Sequence, residues 1–402
     1  MNYKTNFNFE NLISNSIPDL IPPKEHPKPK FDFGVAYPDP ESIPISELIS
    51  SLSLGLEEEG KDLAYYPHPD GYPPLREFIS SKLSKERGIP VSPDQMILTD
   101  GSLESIYMLS EVLIDPDDVV LTEKYCYSGT LRIFKRFSAN IIGVDCDDSG
   151  IIPSDLEKKI KEIQRVGKKI KLLYTIPTFQ NPLGFCVPES RRIDILSITQ
   201  QFQIPILEDD CYVDLNYEKN NYPSIYSLDS SKSVIYVGSF SKIIGPGTRM
   251  GYIVAPDTIL EKLRIVKSGG GVNQFAAIAI HRYSNTNLNR DINSRNDILK
   301  IKRDAMLKAL TQYFKFDEEA KWSHPEGGLY IWLELNPKFD LLKLLPVAQK
   351  HNLSYQPGTM FHPDSKIGKN CARLCFGYNQ PQQIDQGIKL LSELITANPD
   401  ID

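Results

Sequence analysis

Seven short runs of apolar, mostly β-branched residues constrain the fold of this chain more than any other feature of its sequence. Most of them lack the alternation of a half-exposed strand and are typical of strands buried on both faces. Most intervals between the runs have room for a crossover helix, which favours a mainly parallel sheet. The predicted strands are Met96–Thr99, Val119–Thr122, Ile141–Val144, Leu172–Ile176, Ile204–Leu207, Val234–Val237 and Tyr252–Val254.

The pattern therefore predicts an α/β fold, with a seven-stranded, mainly parallel sheet in a large domain and a smaller α+β domain. Leu103–Leu113 and Ser190–Gln201 have the character of crossover helices, and Asn293–Phe314 is predicted to be a long charged helix that links to the second domain. The expected division is an extended N-terminal segment (1–30), a large domain (66–299) and a small domain (31–65 with 300–402).

Composition excludes several classes of protein. The 402 residues are 41% hydrophobic and 24% charged, as in ordinary globular proteins, and the net charge of -7 argues against non-specific nucleic-acid binding. No apolar run approaches the ~20 residues of a membrane span, and the N-terminus has no signal-peptide pattern. The six cysteines form no CxxC pair and the six histidines show no metal-ligand spacing, so we expect a reduced, cytoplasmic protein without a metal.

Polar residues follow the predicted strands, at the edge of a parallel sheet where ligands bind. Gly101 and Ser102 open a helix after the first strand; their N–H groups either bind a phosphate or simply belong to a capped helix start, and both can hold. Tyr125 and Tyr127 follow the second strand. One of them stacks on a flat heteroaromatic ring, or both are core aromatics.

Two further strand ends carry amide and carboxylate groups. Asn181, in an Asn-Pro turn, is either a hydrogen-bond donor to a ligand or a plain turn residue. Glu208, Asp209 and Asp210 end the fifth strand, where three carboxylates repel each other unless they have a partner. A protonated ring nitrogen beneath Asp209 is one such partner. A metal is the alternative, although no third ligand type is at hand.

Lys242 follows the sixth strand, after two serines and seven residues before Arg249. A lysine at a strand end among phosphate-binding groups is what covalent attachment of pyridoxal phosphate as a Schiff base requires. The alternative is a surface lysine in a Gly/Pro loop. Arg249 suits a phosphate. Arg373, in a predicted strand of the second domain, suits a substrate α-carboxylate or, alternatively, a surface ion pair.

Four motifs occur in this order: Thr-Asp-Gly-Ser, Gln-Asn-Pro-x-Gly, Glu-Asp-Asp-x-Tyr and Ser-Phe-Ser-Lys-x6-Arg. As a set they resemble the fold-type I, class I/II aminotransferases that depend on pyridoxal phosphate. The resembling group holds 2-aminoadipate, kynurenine and valine–pyruvate aminotransferases and the catalytic-like domain of MocR-type regulators. The resemblance extends from about Phe31 to Ile395 of this chain. The resemblance implies a transaminase that acts on an amino acid and a 2-oxo acid.

By motif position, the resemblance also implies roles for individual residues. Lys242 is the attachment lysine and proton shuttle, Asp209 pairs with the pyridine nitrogen, and Asn181 and Tyr212 contact the phenolic oxygen. Tyr127 matches the stacking aromatic better than Tyr125. The phosphate contacts fall on Gly101, Ser102, Leu103, Ser239, Ser241 and Arg249, with Tyr66 reaching the phosphate from a partner subunit; the implied assembly is a homodimer with shared sites.

Arg373 matches the arginine that binds the substrate carboxylate in this group. Two departures from the pattern concern specificity. Where the group often has paired glycines near the N-terminus, this chain has Gly34-Val35-Ala36-Tyr37, and His68 lies in the partner-facing loop. The predicted substrate contacts are therefore Arg373, Asn181, Val35, Ala36, Tyr37 and His68.

Two other functions remain open at this point. The same cofactor supports elimination, replacement or cyclisation, and the altered Val35-Ala36-Tyr37 segment is compatible with such a change. A cofactor-binding transcriptional regulator would need a DNA-binding domain ahead of Phe31. The roughly thirty residues there are too few for a winged helix, so we expect no nucleic-acid partner.

Overall fold

The structure is a computed structural model that describes residues 8–14, 17, 28–267 and 270–398. Most of the N-terminal segment predicted to be extended (1–30) lies outside these residues. The α-helices are α1 Ile45–Glu59, α2 Pro73–Arg87, α3 Ser102–Leu113, α4 Ser128–Arg136, α5 Pro153–Arg165, α6 Glu189–Gln201, α7 Ile225–Leu228, α8 Asp257–Val266, α9 Gln274–Thr286, α10 Leu288–Tyr313, α11 Leu341–Lys350 and α12 Pro381–Ala397.

The strands are short, and many are fully buried. They are β1 Phe31–Asp32, β2 Met96–Thr99, β3 Val119–Glu123, β4 Asn140–Val144, β5 Cys146–Asp147, β6 Gly150–Ile151, β7 Ile170–Thr175, β8 Ile206–Asp209, β9 Val234–Ser239, β10 Gly251–Val254, β11 Lys321–Trp322, β12 Tyr330–Glu334, β13 Leu353–Ser354, β14 Gln356–Pro357 and β15 Cys371–Cys375.

A seven-stranded sheet forms the centre of the molecule, in the order β2-β10-β9-β8-β7-β3-β4. Only β10 runs antiparallel to its neighbours. All seven predicted strands belong to this sheet, so the α/β prediction is confirmed. Because six strands are parallel, their carboxyl ends lie at one edge, where the loops to α3, α4 and Lys242 begin.

The boundaries of β8 and α10 differ from the prediction for identifiable reasons. β8 continues through Glu208 and Asp209, because Glu208 is fully buried and accepts hydrogen bonds from the backbone N–H groups of Ile225 and Tyr226. The charges of Glu208 and Asp209 therefore do not end β8 at Leu207 as predicted. α10 begins at Leu288, five residues before the predicted start, through an asparagine-rich stretch of weak helix propensity.

A second sheet, β11-β12-β15-β14, is antiparallel throughout. The early strand β1 also belongs to the C-terminal part of the molecule, since it pairs in parallel with β13 in a separate two-stranded sheet. α1 instead packs against α9: a Cβ atom added to Gly55 would lie 2.2 Å from a side-chain carbon of Ile278. Segment 31–65 thus contacts both parts of the molecule, and the domain boundaries remain a prediction.

Three observations bear on compartment and partners. Within the described residues, no helix is both long and apolar enough to cross a membrane. All six cysteines are free. In the same part of the chain, no cluster of three histidine, cysteine or acidic residues is arranged to hold a metal ion.

Candidate active site

A cavity lies beyond the carboxyl ends of β2, β3, β7, β8 and β9, and it collects residues from separate strand ends. Most of the residues predicted from the sequence to bind the cofactor line it. The lining residues are Ser102, Leu103, Tyr127, Ile176, Asp209, Cys211, Tyr212, Ser239, Ser241, Lys242, Pro246 and Arg249. The parallel sheet thus brings together groups that are up to 147 positions apart in the chain.

Lys242 lies in the loop that follows β9. Hydrogen bonds from the N–H groups of Ile243 and Ile244 to the Phe240 carbonyl hold this loop. The Lys242 Nζ donates to the Ala36 carbonyl at 3.2 Å and lies 6.0 Å from the centre of the Tyr212 ring. Burial lowers the pKa of the Lys242 ammonium. The amine is therefore easier to deprotonate than a surface lysine, as a nucleophile or base requires.

Asp209, at the end of β8, is a buried carboxylate. It accepts hydrogen bonds at 2.7 Å from the Tyr174 hydroxyl and at 2.7 Å from the Cys211 thiol. Burial raises the pKa of its carboxyl group, and among the described residues no cation forms an ion pair with it. A protonated ring nitrogen would supply the missing positive charge and favour the ionised carboxylate.

The start of α3 forms one wall of the cavity with Arg249. The first N–H groups of a helix have no partner within it, so those of Ser102 and Leu103 are available to an anion. A Cβ atom on Gly251 would lie 2.9 Å from Ser102 N, and one on Gly101 would lie 2.7 Å from an Arg249 side-chain nitrogen. Two glycines thus allow the arginine and a neighbouring strand to approach the helix start.

Asn181 and Tyr212 contact each other, and Arg373 joins them from the second sheet. Asn181 Nδ2 donates to the Tyr212 hydroxyl at 3.0 Å, and Arg373 donates to Asn181 Oδ1 at 2.9 Å. Arg373 also donates to the Gly34 carbonyl at 2.6 Å. Its Nε is buried without a hydrogen-bond partner. An unpaired guanidinium donor next to Asn181 is suited to a carboxylate.

The two candidate stacking tyrosines lie in different places. Tyr127 lines the cavity, and its ring occupies the space that a side chain on Gly129 would fill, since a Cβ atom there would lie 2.7 Å from the ring. Tyr125 packs instead on Trp332, with ring centres 4.8 Å apart. This placement agrees with the preference for Tyr127.

The side chains of several residues predicted to contact the cofactor or the substrate do not line the cavity. Tyr66 is 99% exposed. His68 Nδ1 accepts a hydrogen bond from the Asp70 N–H, and Val35 is exposed. The Tyr37 ring contacts Tyr378 (6.0 Å between centres) and Lys28 Nζ (4.9 Å). Gly34 and Ala36 instead reach the site through their backbone carbonyls, which accept hydrogen bonds from Arg373 and Lys242.

Residues missed by the sequence analysis also form the site. Cys211, Ile176 and Pro246 line the cavity. Each lies within five residues of a predicted site residue, so position alone could have indicated it. Tyr330, on β12, donates or accepts a hydrogen bond at 2.9 Å with the Tyr212 hydroxyl. No local sequence signal marks Tyr330.

Comparisons with known proteins agree with this geometry. The family Aminotransferase class I and II matches residues 32–391. Aromatic-amino-acid aminotransferase 1 of Thermococcus litoralis is 34% identical over 362 residues, which cover 89% of this chain and 86% of that protein. The crystal structure of Pyrococcus horikoshii kynurenine aminotransferase in complex with PMP has a TM-score of 0.86 at 34% identity, covering 91% of this chain and 90% of that one. An uncharacterised HTH-type regulator of Bacillus subtilis is 29% identical, over 90% of this chain and 72% of the regulator.

The chain therefore belongs to the class I and II aminotransferases. It is a pyridoxal phosphate-dependent transaminase of fold type I, which moves an amino group between an amino acid and a 2-oxo acid. The predicted relationship to the regulators is confirmed as well. The cavity fits the cofactor: a buried carboxylate lacks a cation, a helix start and an arginine face an anion site, and a buried amine lies between them.

Proposed function

We propose that Lys242, Asp209 and Tyr212 carry the transamination chemistry. Bound pyridoxal phosphate supplies an electron sink for the negative charge that develops when the substrate loses its α-proton. Lys242 attaches the cofactor, and its freed amine moves the proton. Asp209 keeps the ring nitrogen protonated, while Asn181 and Tyr212 hold the phenolic oxygen. The lowered pKa of Lys242 supports the first role, and the unpaired buried charge of Asp209 supports the second.

The phosphate is proposed to bind at the start of α3. Gly101, Ser102 and Leu103 present backbone N–H groups there, and the helix dipole adds positive potential. The hydroxyls of Ser239 and Ser241 and the guanidinium of Arg249 complete the contacts from across the cavity. Tyr127 stacks on the ring.

Arg373 is the proposed partner of the substrate α-carboxylate. Its Nε is buried without a partner, and Asn181 fixes the guanidinium from one side. A buried donor without an acceptor is costly, so a carboxylate that fills this position gains binding energy. This is the observation that carries the proposal for an amino acid with a free α-carboxylate.

A homodimer is the proposed assembly. A groove between α1 and α9 is lined by Leu48, Ile49, Leu52 and Phe275 and continues to Arg249 at the proposed phosphate site. Ile49 is 64% exposed and Phe275 is 48% exposed, although both are large apolar residues. A second copy of the chain would bury this surface. It would also give the fully exposed Tyr66 a phosphate to contact.

We also propose a reducing, cytoplasmic location, since all six cysteines are free. For the amino donor, aromatic amino acids and kynurenine are the first candidates, because two relatives bear those names.

The carboxylate proposal is tested by comparing L-phenylalanine with phenethylamine, which lacks only the carboxylate, in wild-type enzyme and in Arg373→Gln. We expect the wild type to prefer phenylalanine by at least 100-fold in kcat/KM, about 3 kcal/mol for a charged hydrogen-bonding partner. The variant should lose most of this preference. A variant that keeps the full preference would contradict the role of Arg373.

A further inference from the structure

Tyr330 completes a closed cycle of four buried side chains that joins the two sheets. In this cycle, Arg373 donates to Asn181 at 2.9 Å, Asn181 donates to Tyr212 at 3.0 Å, and the hydroxyls of Tyr212 and Tyr330 lie 2.9 Å apart. The Arg373 guanidinium then lies over the Tyr330 ring, 4.4 Å from its centre. All four side chains are at most 5% exposed.

The chemistry of Arg373 fixes the direction of two hydrogen bonds in this cycle, the one from Arg373 to Asn181 and the one from Asn181 to Tyr212. A guanidinium can only donate, so the Asn181 atom that faces Arg373 is the oxygen, and the amide nitrogen faces Tyr212. The Tyr212 hydroxyl therefore accepts from Asn181. Its single hydrogen goes either to Tyr330 or into the cavity.

The position of Arg373 favours one of these two directions. A cation over the face of a phenol makes the phenol hydroxyl a better donor, because it stabilises negative charge on the ring. Within the described part of the chain, the only hydrogen bond of the Tyr330 hydroxyl is the one to Tyr212. With Tyr330 as the donor, Tyr212 accepts two hydrogen bonds, and the Tyr212 hydrogen is left for the cavity.

We infer that Tyr330 is a positioning residue, whose hydroxyl donates to Tyr212 and so directs the Tyr212 hydrogen toward the phenolic oxygen of the cofactor. This inference rests on the proposed role of Tyr212. Hydroxyls that accept hydrogen bonds are stronger donors. Because Arg373 belongs to the same cycle of side chains, the arrangement at the proposed carboxylate site also affects how strongly Tyr212 donates.

The test uses the bound cofactor as its own indicator. In the holoenzyme without substrate, the nitrogen that joins Lys242 to the cofactor gains or loses a proton, and the absorbance changes with it. A hydrogen bond donated to the neighbouring phenolic oxygen favours the deprotonated form of this nitrogen. In that form the oxygen keeps its full negative charge, because the nitrogen has no proton to share with it. Weakening that donor therefore raises the pH midpoint.

Tyr330→Phe keeps the ring under Arg373 and removes only the hydroxyl. We expect the absorbance midpoint to rise by about half a pH unit or more, the scale of one hydrogen bond. The shift should vanish when the same change is made in a Tyr212→Phe background. The matched control is Tyr355→Phe, a buried tyrosine whose hydroxyl donates to the Leu341 carbonyl away from the site; it should leave the midpoint unchanged.

Two results separate the inference from the proposal on which it rests. If Tyr212→Phe alone leaves the midpoint unchanged, the proposed role of Tyr212 is wrong and the inference fails with it. If Tyr212→Phe raises the midpoint but Tyr330→Phe does not, only the inference is overturned. Should Tyr330→Phe not fold, 3-fluorotyrosine at position 330 provides a stronger donor and is expected to lower the midpoint; an unchanged midpoint would again overturn the inference.

Discussion

Single residues decide the chemistry of this site because each is buried where its charge state matters. Lys242 has a lowered pKa, and Asp209 has a raised pKa, for the same physical reason: burial disfavours the charged form of each group. A cofactor with a cationic ring nitrogen reverses this effect at Asp209. At Lys242 the effect remains useful, since an uncharged amine is the reactive form.

Lys242→Ala removes the attachment point and the proposed proton carrier together. We expect turnover to fall by at least 10⁴-fold, the scale on which a covalent and general-base residue acts. Cofactor binding should weaken but persist, because the phosphate and ring contacts remain. Steady-state rates and equilibrium dialysis of pyridoxal phosphate measure the two effects separately. Normal turnover in this variant would sink the assignment.

Residue identity was predictable wherever a strand end marked it. Asp209, Asn181 and Lys242 each lie within five residues of the end of a predicted strand, so the parallel sheet alone predicted that they lie close together. Tyr330 was not predictable, because its place beside Tyr212 depends on how the second sheet packs against the first. Tyr37 was assigned a substrate contact from its position in the chain, but its ring packs on Tyr378.

At the scale of elements, α10 ties the part of the chain around Asp39 to the second sheet. Lys302 on this helix is 1% exposed and donates to Asp39 at 2.7 Å and to the Gly377 carbonyl at 3.0 Å. Burial raises the pKa of Asp39, but the hydrogen bond and charge of Lys302 outweigh it, and the net pKa is lowered. The segment that carries Gly34 and Ala36 is thereby fixed near Arg373 and Lys242.

Lys302→Met should destabilise the fold by about 3 kcal/mol at pH 7, because it leaves a buried carboxylate unpaired. A carboxylate with a lowered folded-state pKa stabilises the fold above its unfolded pKa of about 4, and this contribution is lost as the pH falls. The difference between wild type and variant should therefore shrink below about pH 4. Thermal unfolding across this pH range measures it.

The control for this prediction lies on the same helix. Lys300 is 44% exposed and pairs with Glu218, so Lys300→Met should cost no more than about 1 kcal/mol. Equal losses for the two variants would contradict the special role of the buried pair.

At the scale of the whole molecule, the proposed phosphate site is open along the groove between α1 and α9. Arg249 is exposed there, and Tyr66 is 99% exposed and does not line the cavity that contains Lys242. The sequence resemblance implies that Tyr66 reaches the phosphate of a partner subunit, and the single chain cannot display this contact because the proposed partner site belongs to a second chain. The proposed dimer accounts for both observations.

Ile49→Glu places a charge in the groove and should convert a dimer to a monomer with weaker pyridoxal phosphate binding. Ile193→Glu is the matched control, since Ile193 on α6 is 48% exposed and lies outside the groove. Light scattering gives the mass of each variant. A wild-type enzyme that is monomeric and fully active would refute the proposal, and so would an Ile49→Glu variant that remains dimeric.

The central claim is that this site exchanges an amino group, and a half-reaction tests it most directly. Purified holoenzyme is given single amino acids, aromatic ones first, without any 2-oxo acid, and cofactor and products are measured by mass spectrometry. We expect one 2-oxo acid released per site and full conversion of pyridoxal phosphate to pyridoxamine phosphate. Many turnovers per site, with the cofactor recovered as pyridoxal phosphate and a product of elimination or cyclisation, would contradict the account.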